Sequence, residues 1–198
     1  MVWWLKARAV AVVLGTVLAT IVCGVLAGDA ELPIPVLTGQ SGRFLVGHLI
    51  TVLPAAALMY GIARTDLHVE NVAVRPMNGW NAMLGVGAAA AGIAAAGVLY
   101  AFSPNDIAVV LGRNSVGYIG IALIVASFLG ARAAASITAA VPLLCAATGW
   151  EQGGQPEPWA WVLEPGNSVS ALVAANVLWL LGTVSTLARS TSFRRASQ

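Results

Sequence analysis

Apolar residues in this chain come in long blocks, not in the 3.6-residue stripe of an amphipathic helix or the alternation of a half-buried strand. Apolar blocks of about 18 residues or more mark helices that cross a bilayer, where each backbone polar group must be satisfied within the segment. Six blocks fit, at about 9–28, 44–63, 81–103, 115–131, 133–150 and 169–188. Each is close to the roughly 20 residues needed to cross a hydrocarbon core at about 1.5 Å per residue. The expected fold class is all-α: one polytopic transmembrane domain over residues 1–198, with six spans and both termini cytoplasmic.

The fourth and fifth blocks flank Arg132 in "ASFLGARAAASITAAV". A single helix over 115–150 would hold this arginine in the middle of the lipid, at a cost of about 2.5–3.5 kcal/mol on insertion scales. A hairpin turning at "LGARAA" brings it to the surface. The fourth block is short, and it can borrow from "DIAVVLGRN", a segment also compatible with an interfacial or re-entrant piece. The distribution of basic residues agrees with the hairpin. Lys6, Arg8, Arg64, Arg75, Arg132, Arg189, Arg194 and Arg195 then fall inside, and Arg43 and Arg113 outside. Trp3, Trp4 and Trp80 fall at the inner boundary and Trp150, Trp159 and Trp161 at the outer one, as interfacial anchors do. Trp179 lies within the last block and is expected to serve helix packing.

Composition agrees. Only 9% of residues are charged and 59% are hydrophobic, against about 25% charged in a soluble domain. The net charge of +2 is spread without a basic tract, which argues against a nucleic-acid partner. The apolar run 9–27 after Lys6 and Arg8 is longer than the roughly 7–15 residues of a signal-peptide core, so it is read as a retained first span. Cys23 and Cys145 lie in apolar blocks and read as small apolar fillers. Whether they pair is left open, and no metal-type Cys/His spacing exists.

Several features lie inside the blocks. Ala88, Gly92 and Ala96 form a small-xxx-small stripe, suited to close packing within the chain or between subunits. Pro54 and Pro142 are expected to kink their helices. His48 reads as a hydrogen-bonded residue near the outer face and Asn176 as helix–helix glue. No block carries Asp or Glu near its middle, which argues against an ion-coupled carrier. No phosphate-cradling G-x-x-x-x-G-K-[ST] is present and Lys6 is the only lysine, so the chain is expected neither to hold ATP nor to be an enzyme.

Two connections exceed what a hairpin requires. In "RTDLHVENVAVRPMNGWN" (64–81), Leu67, Val69 and Val72 alternate with polar residues including Glu70 and Arg75, as in a short amphipathic helix ended by Pro76. In "EQGGQPEPWAWVLEPGNS" (151–168), Trp159, Trp161 and Leu163 are placed to dip into the interface, and Asn167 or Ser168 to cap the last span.

This layout resembles the ABC-2-type permease subunits of ABC exporters, in particular small actinobacterial ones. The resemblance rests on "VENVAVRPMNGWNAML", "GRNSVGYIGIALI", "LGARAAASITAAVPLL" and "PWAWVLEPGNSVSALVAANVLWLLG", together with the six-block arrangement. It implies a cell-membrane exporter subunit that binds no cofactor itself and works with a separate ATP-binding subunit. It also implies a second permease subunit, the same or related. Leu67, Val69, Glu70, Val72 and Arg75 would then form the ATPase-docking helix. Trp159, Trp161 and Leu163 would form an outer re-entrant segment. The stretch before the first span, "MVWWLKAR", is shorter than the family's amphipathic helix, which implies a minimal or accessory subunit. A non-transporting scaffold or immunity protein is the alternative. Substrate and direction of transport are open.

Overall fold

A computed structural model describes residues 6, 8–27, 29–32, 44–64, 77–102, 104–151 and 153–196. The regular elements among them are helices: α1 (Val10–Ala27), α2 (Val46–Ile50), α3 (Leu53–Ala63), α4 (Met77–Phe102), α5 (Asp106–Leu129), α6 (Ala131–Thr148) and α7 (Val169–Ala196). Two isolated antiparallel bridges, Glu31 with Leu45 and Trp150 with Pro156, tie the connections. Six segments are long and apolar enough to cross a membrane: Val10–Ala27, Val46–Ala63, Gly79–Phe102, Asp106–Leu129, Ala131–Thr148 and Val169–Arg189. The protein is therefore an all-helical membrane protein of six spans, α2 and α3 together making the second.

α5 is the axis of the bundle. It touches every other helix, most extensively α7, then α4 and α6. The others surround it in the order α7, α4, α1, α3, α6. Lipid tails are as apolar as leucine, so no hydrophobic force drives these helices together, and close backbone approach and dispersion must do it. α5 and α7 meet through glycine. A Cβ on Gly120 would lie 2.5 Å from the backbone of Leu178 and Trp179, and one on Gly182 would lie 2.5 Å from the Gly120 carbonyl oxygen. Trp179 packs against the core beside this crossing, as its position in the last span suggested.

α5 starts at Asp106, earlier than the expected 115. The Asn105 side chain accepts the Ile107 N–H at 2.9 Å, and Asp106 adds a negative charge to the first turn. Both satisfy the exposed donors and dipole of a helix start. Arg113 and Asn114, expected in an outer connection, therefore lie two turns inside the central helix. At the other end Gly130, with φ +85°, separates α5 from α6, and Arg132 is exposed. The hairpin expected at Arg132 is present, with a turn so tight that the fifth span begins at Ala131.

The second span breaks at Thr51–Val52, just before Pro54 in the first turn of α3, where its missing N–H costs least. Pro142 behaves differently: α6 continues through it. In α4, Ala88, Gly92 and Ala96 are buried. Ala96 faces Gly112 of α5 and Gly92 lies beside Val17 of α1, so this stripe packs within the chain. At the end of the bundle opposite the 149–168 connection, arginines meet helix C-termini. Arg8 donates to the Ile62 carbonyl at 3.1 Å in the last turn of α3, and Arg189 to the Ala126 carbonyl at 3.3 Å near the end of α5. Cations at these carbonyls also oppose the negative end of the helix dipole.

Candidate functional site: a loop docked on the central helix

The connection between α6 and α7 is a folded unit. Its first part turns through Gly153 and Gly154, at φ +125° and +76°, conformations suited to glycine. It closes with bonds from Glu151 N–H to the Gln155 carbonyl and from Glu157 N–H to the Gly149 carbonyl, both at 2.9 Å. Two tight turns follow, Ala160 N–H to Glu157 and Leu163 N–H to Ala160. Ser168 then caps α7 by accepting the Ala171 N–H at 3.3 Å, so of the two expected caps the serine serves.

Residues 160–163 are buried against the bundle. Their peptides form turns, not a helix, so the carbonyls of Trp161 and Val162 are met by side chains. At membrane depth such backbone is tolerated only where protein groups satisfy it. Arg113 and Asn114 are those groups. The guanidinium donates to the carbonyls of Trp161 (3.2 Å), Glu164 (2.7 Å) and Pro165 (2.8 Å). Its Nε donates to Asn114 Oδ1 at 3.1 Å, and Asn114 Nδ2 donates in turn to the Val162 carbonyl at 2.9 Å. Four carbonyls within five residues are thus bound by two neighbouring side chains. Arg113 is only 4% exposed. Charge-assisted bonds to carbonyls contribute about 1.5–3 kcal/mol each, which offsets the desolvation of the cation.

Trp161 carries the contact deeper. Its ring lies where a side chain on Gly117 would be. Gly117 is 11 residues into α5, about 16 Å along its axis. The ring also meets Tyr118, with centroids 5.7 Å apart and planes tilted by 54°. The Tyr118 hydroxyl donates to the His48 carbonyl at 3.4 Å, which also accepts from Thr51 Oγ1 at 2.9 Å. His48 Nδ1 accepts the Leu45 N–H at 3.3 Å, which leaves the ring proton on Nε2. One continuous set of contacts therefore runs from the loop, through α5, to the broken second span. The arrangement is a clamp: its charged and amide groups are directed at loop carbonyls.

A shallow groove of about 370 Å³ opens on the outer side of α1 beside the break, lined by Val12, Thr16, Ala19, Thr20, Ile50 and Leu53 among others. Its walls are mostly apolar, and it faces the surroundings of the bundle.

Of the expected site residues, Trp161 and Leu163 are buried at 7% and 6% exposure and pack against protein, while Trp159 is exposed. Trp150 is buried too, so of the three outer tryptophans only Trp159 is free to anchor at an interface. Leu67, Val69, Glu70, Val72 and Arg75 lie outside the described residues. His48 is hydrogen-bonded as expected, but buried rather than at a surface. Cys23 and Cys145 are free thiols. The role of Arg113 and Asn114 is not apparent in the order of residues. The available signal was Asn105-Asp106, a helix start two turns before them. No protein-family profile, no curated protein and no solved structure matches this chain.

Proposed function

We propose that this protein is the membrane subunit of an ABC-type exporter in the cell membrane, with both termini cytoplasmic, working with a separate ATP-binding subunit and a second permease subunit. The observation that supports the reading is the folded connection between spans five and six, held on the central helix at the end of the bundle opposite Arg8 and Arg189. The resemblance to these permeases implies an outer segment before the last span, and the Arg113–Asn114 clamp joins this loop to α5. The partner ATPase docks on residues 67–75, and its closure shifts α3 and α4, which flank that segment. α5 is buried on nearly all sides, so the path for substrate runs between subunits. The cargo is amphipathic: a peptide, lipid or natural product. Purification of the tagged full chain in mild detergent, with mass spectrometry of what accompanies it, tests this. A stoichiometric ATPase with a phosphate-binding loop is expected, and a chain that purifies without one overturns the reading.

One observation favours a second reading, a non-transporting scaffold or immunity protein. The buried side chains of Arg113 and Asn114 are directed at the protein's own carbonyls, as in a static structure. Replacing Glu70 and Arg75 separates the two. An exporter loses transport; a scaffold retains its function.

A further inference from the structure

The last span presents a polar side chain to the outside of the bundle. Asn176 lies on the outer face of α7 and is exposed. One amide N–H donates back to the Leu172 carbonyl at 2.8 Å. Val169–Arg189 is the membrane-crossing part of this helix, and Asn176 is three residues from its centre, about 4.5 Å along the axis. A side chain at this depth cannot reach the headgroups, and acyl chains offer neither donor nor acceptor.

The residues around it form a line. Val169, Val173, Asn176, Leu180, Val184 and Leu187 are all exposed, and they recur at about 3.6 residues, so the stripe runs straight down the helix. Among the elements of this chain, α7 packs chiefly on α5 and α4, and this stripe faces away from them. A carboxamide in such a line is self-complementary, offering a donor and an acceptor together. Two copies of one chain insert with the same orientation. A two-fold axis along the membrane normal therefore brings Asn176 opposite its own counterpart at the same depth. A single asparagine in an apolar helix seam sets register and copy number in this way.

We infer that the protein self-associates through this face of α7, with Asn176 of two copies hydrogen-bonded to each other across a parallel two-fold. The inference deepens the exporter reading by naming the subunit interface as homomeric. It is carried by the depth and exposure of Asn176, not by any ATPase. An ATPase found with a chain that is monomeric removes the interface alone, whereas a dimer found without an ATPase removes the exporter reading alone.

The full chain is reconstituted in lipid bilayers, labelled on its C-terminal tag, and diluted across a range of protein-to-lipid ratios while subunits are counted by single-molecule photobleaching. Dimers are expected. Asn176→Leu keeps the apolar stripe and is expected to weaken dimerisation by about tenfold, while Asn176→Gln restores most of it. In a Cys23→Ser background, Val173→Cys and Leu180→Cys are expected to cross-link with a short bis-maleimide, and Leu144→Cys, exposed on α6, is not. A monomer at every dilution overturns the inference. So does an Asn176→Leu variant that dimerises like the parent, or cross-linking at Leu144→Cys in preference to α7.

Discussion

The indole of Trp161 occupies the space that a side chain at Gly117 would need. The loop and the central helix are thus fitted to each other at this point. Overpacking a fitted contact costs about 1–3 kcal/mol, and the cheapest escape here is for the loop to lift. In a Cys23→Ser background, Gly117→Leu is expected to open Ala160, now fully buried, to solvent. An Ala160→Cys probe should react with a water-soluble maleimide in the Gly117→Leu protein and not in its parent. Equal protection in both would show that the loop is held without this contact.

Arg113 serves three carbonyls and an amide oxygen from one planar fork. Arg113→Leu leaves the Trp161 carbonyl and the Asn114 amide oxygen buried without this donor and also frees the Glu164 and Pro165 carbonyls, a loss of about 3 kcal/mol or more. For a chain of this size, that lowers the unfolding midpoint in detergent by about 6–12 °C. Arg113→Lys keeps the charge but not the geometry, since an ammonium is a point donor. It should behave nearly like Arg113→Leu in a thermal melt. A lysine variant as stable as the parent would mean that charge, not the fork, holds the loop.

Arg113 and Asn114 act as a pair, because the Asn114 oxygen accepts from Arg113 while its nitrogen donates to Val162. Removing either misaligns the other. A double-mutant cycle with Arg113→Leu and Asn114→Leu is expected to show a coupling of about 1–3 kcal/mol. Additive losses in the measured unfolding free energies would contradict the shared network.

Gly120 and Gly182 hold α5 and α7 in backbone contact. Gly120→Val places two methyl groups against the Leu178–Trp179 peptide, which cannot yield as a flexible side chain does. The expected result is poor folding, with a midpoint lower than that of Gly117→Leu. Gly92→Ala on α4, where a Cβ would meet Val17 at an ordinary 3.7 Å, should be tolerated in the same assay. If the two variants melt alike, the close crossing is not what holds the last span.

The two ends of the bundle were unequally legible from the order of residues. The Arg132 hairpin could be placed because a lone charge in an apolar run has one inexpensive position, at a turn. Arg113 followed the same logic to a different end. Outside a helix it is an ordinary loop cation; inside one it needs partners, and those stand 48 to 52 residues away in the chain. The fate of Trp150, Trp161 and Leu163 also depended on that docking. Their amphipathic or apolar character suits an interface as well as it suits a core.

Span number and helical class were decided by the sequence, because crossing a bilayer is a local requirement: about 20 apolar residues in a row, with every backbone bond made inside the segment. Tertiary structure alone decided which helix became the axis, that a buried arginine would be the clamp for a loop, and that Asn176 would face outward. These depend on which residues meet across the chain. In lipid, where apolar surfaces are equally content with tails or with one another, steric fit and hydrogen-bond geometry determine those meetings.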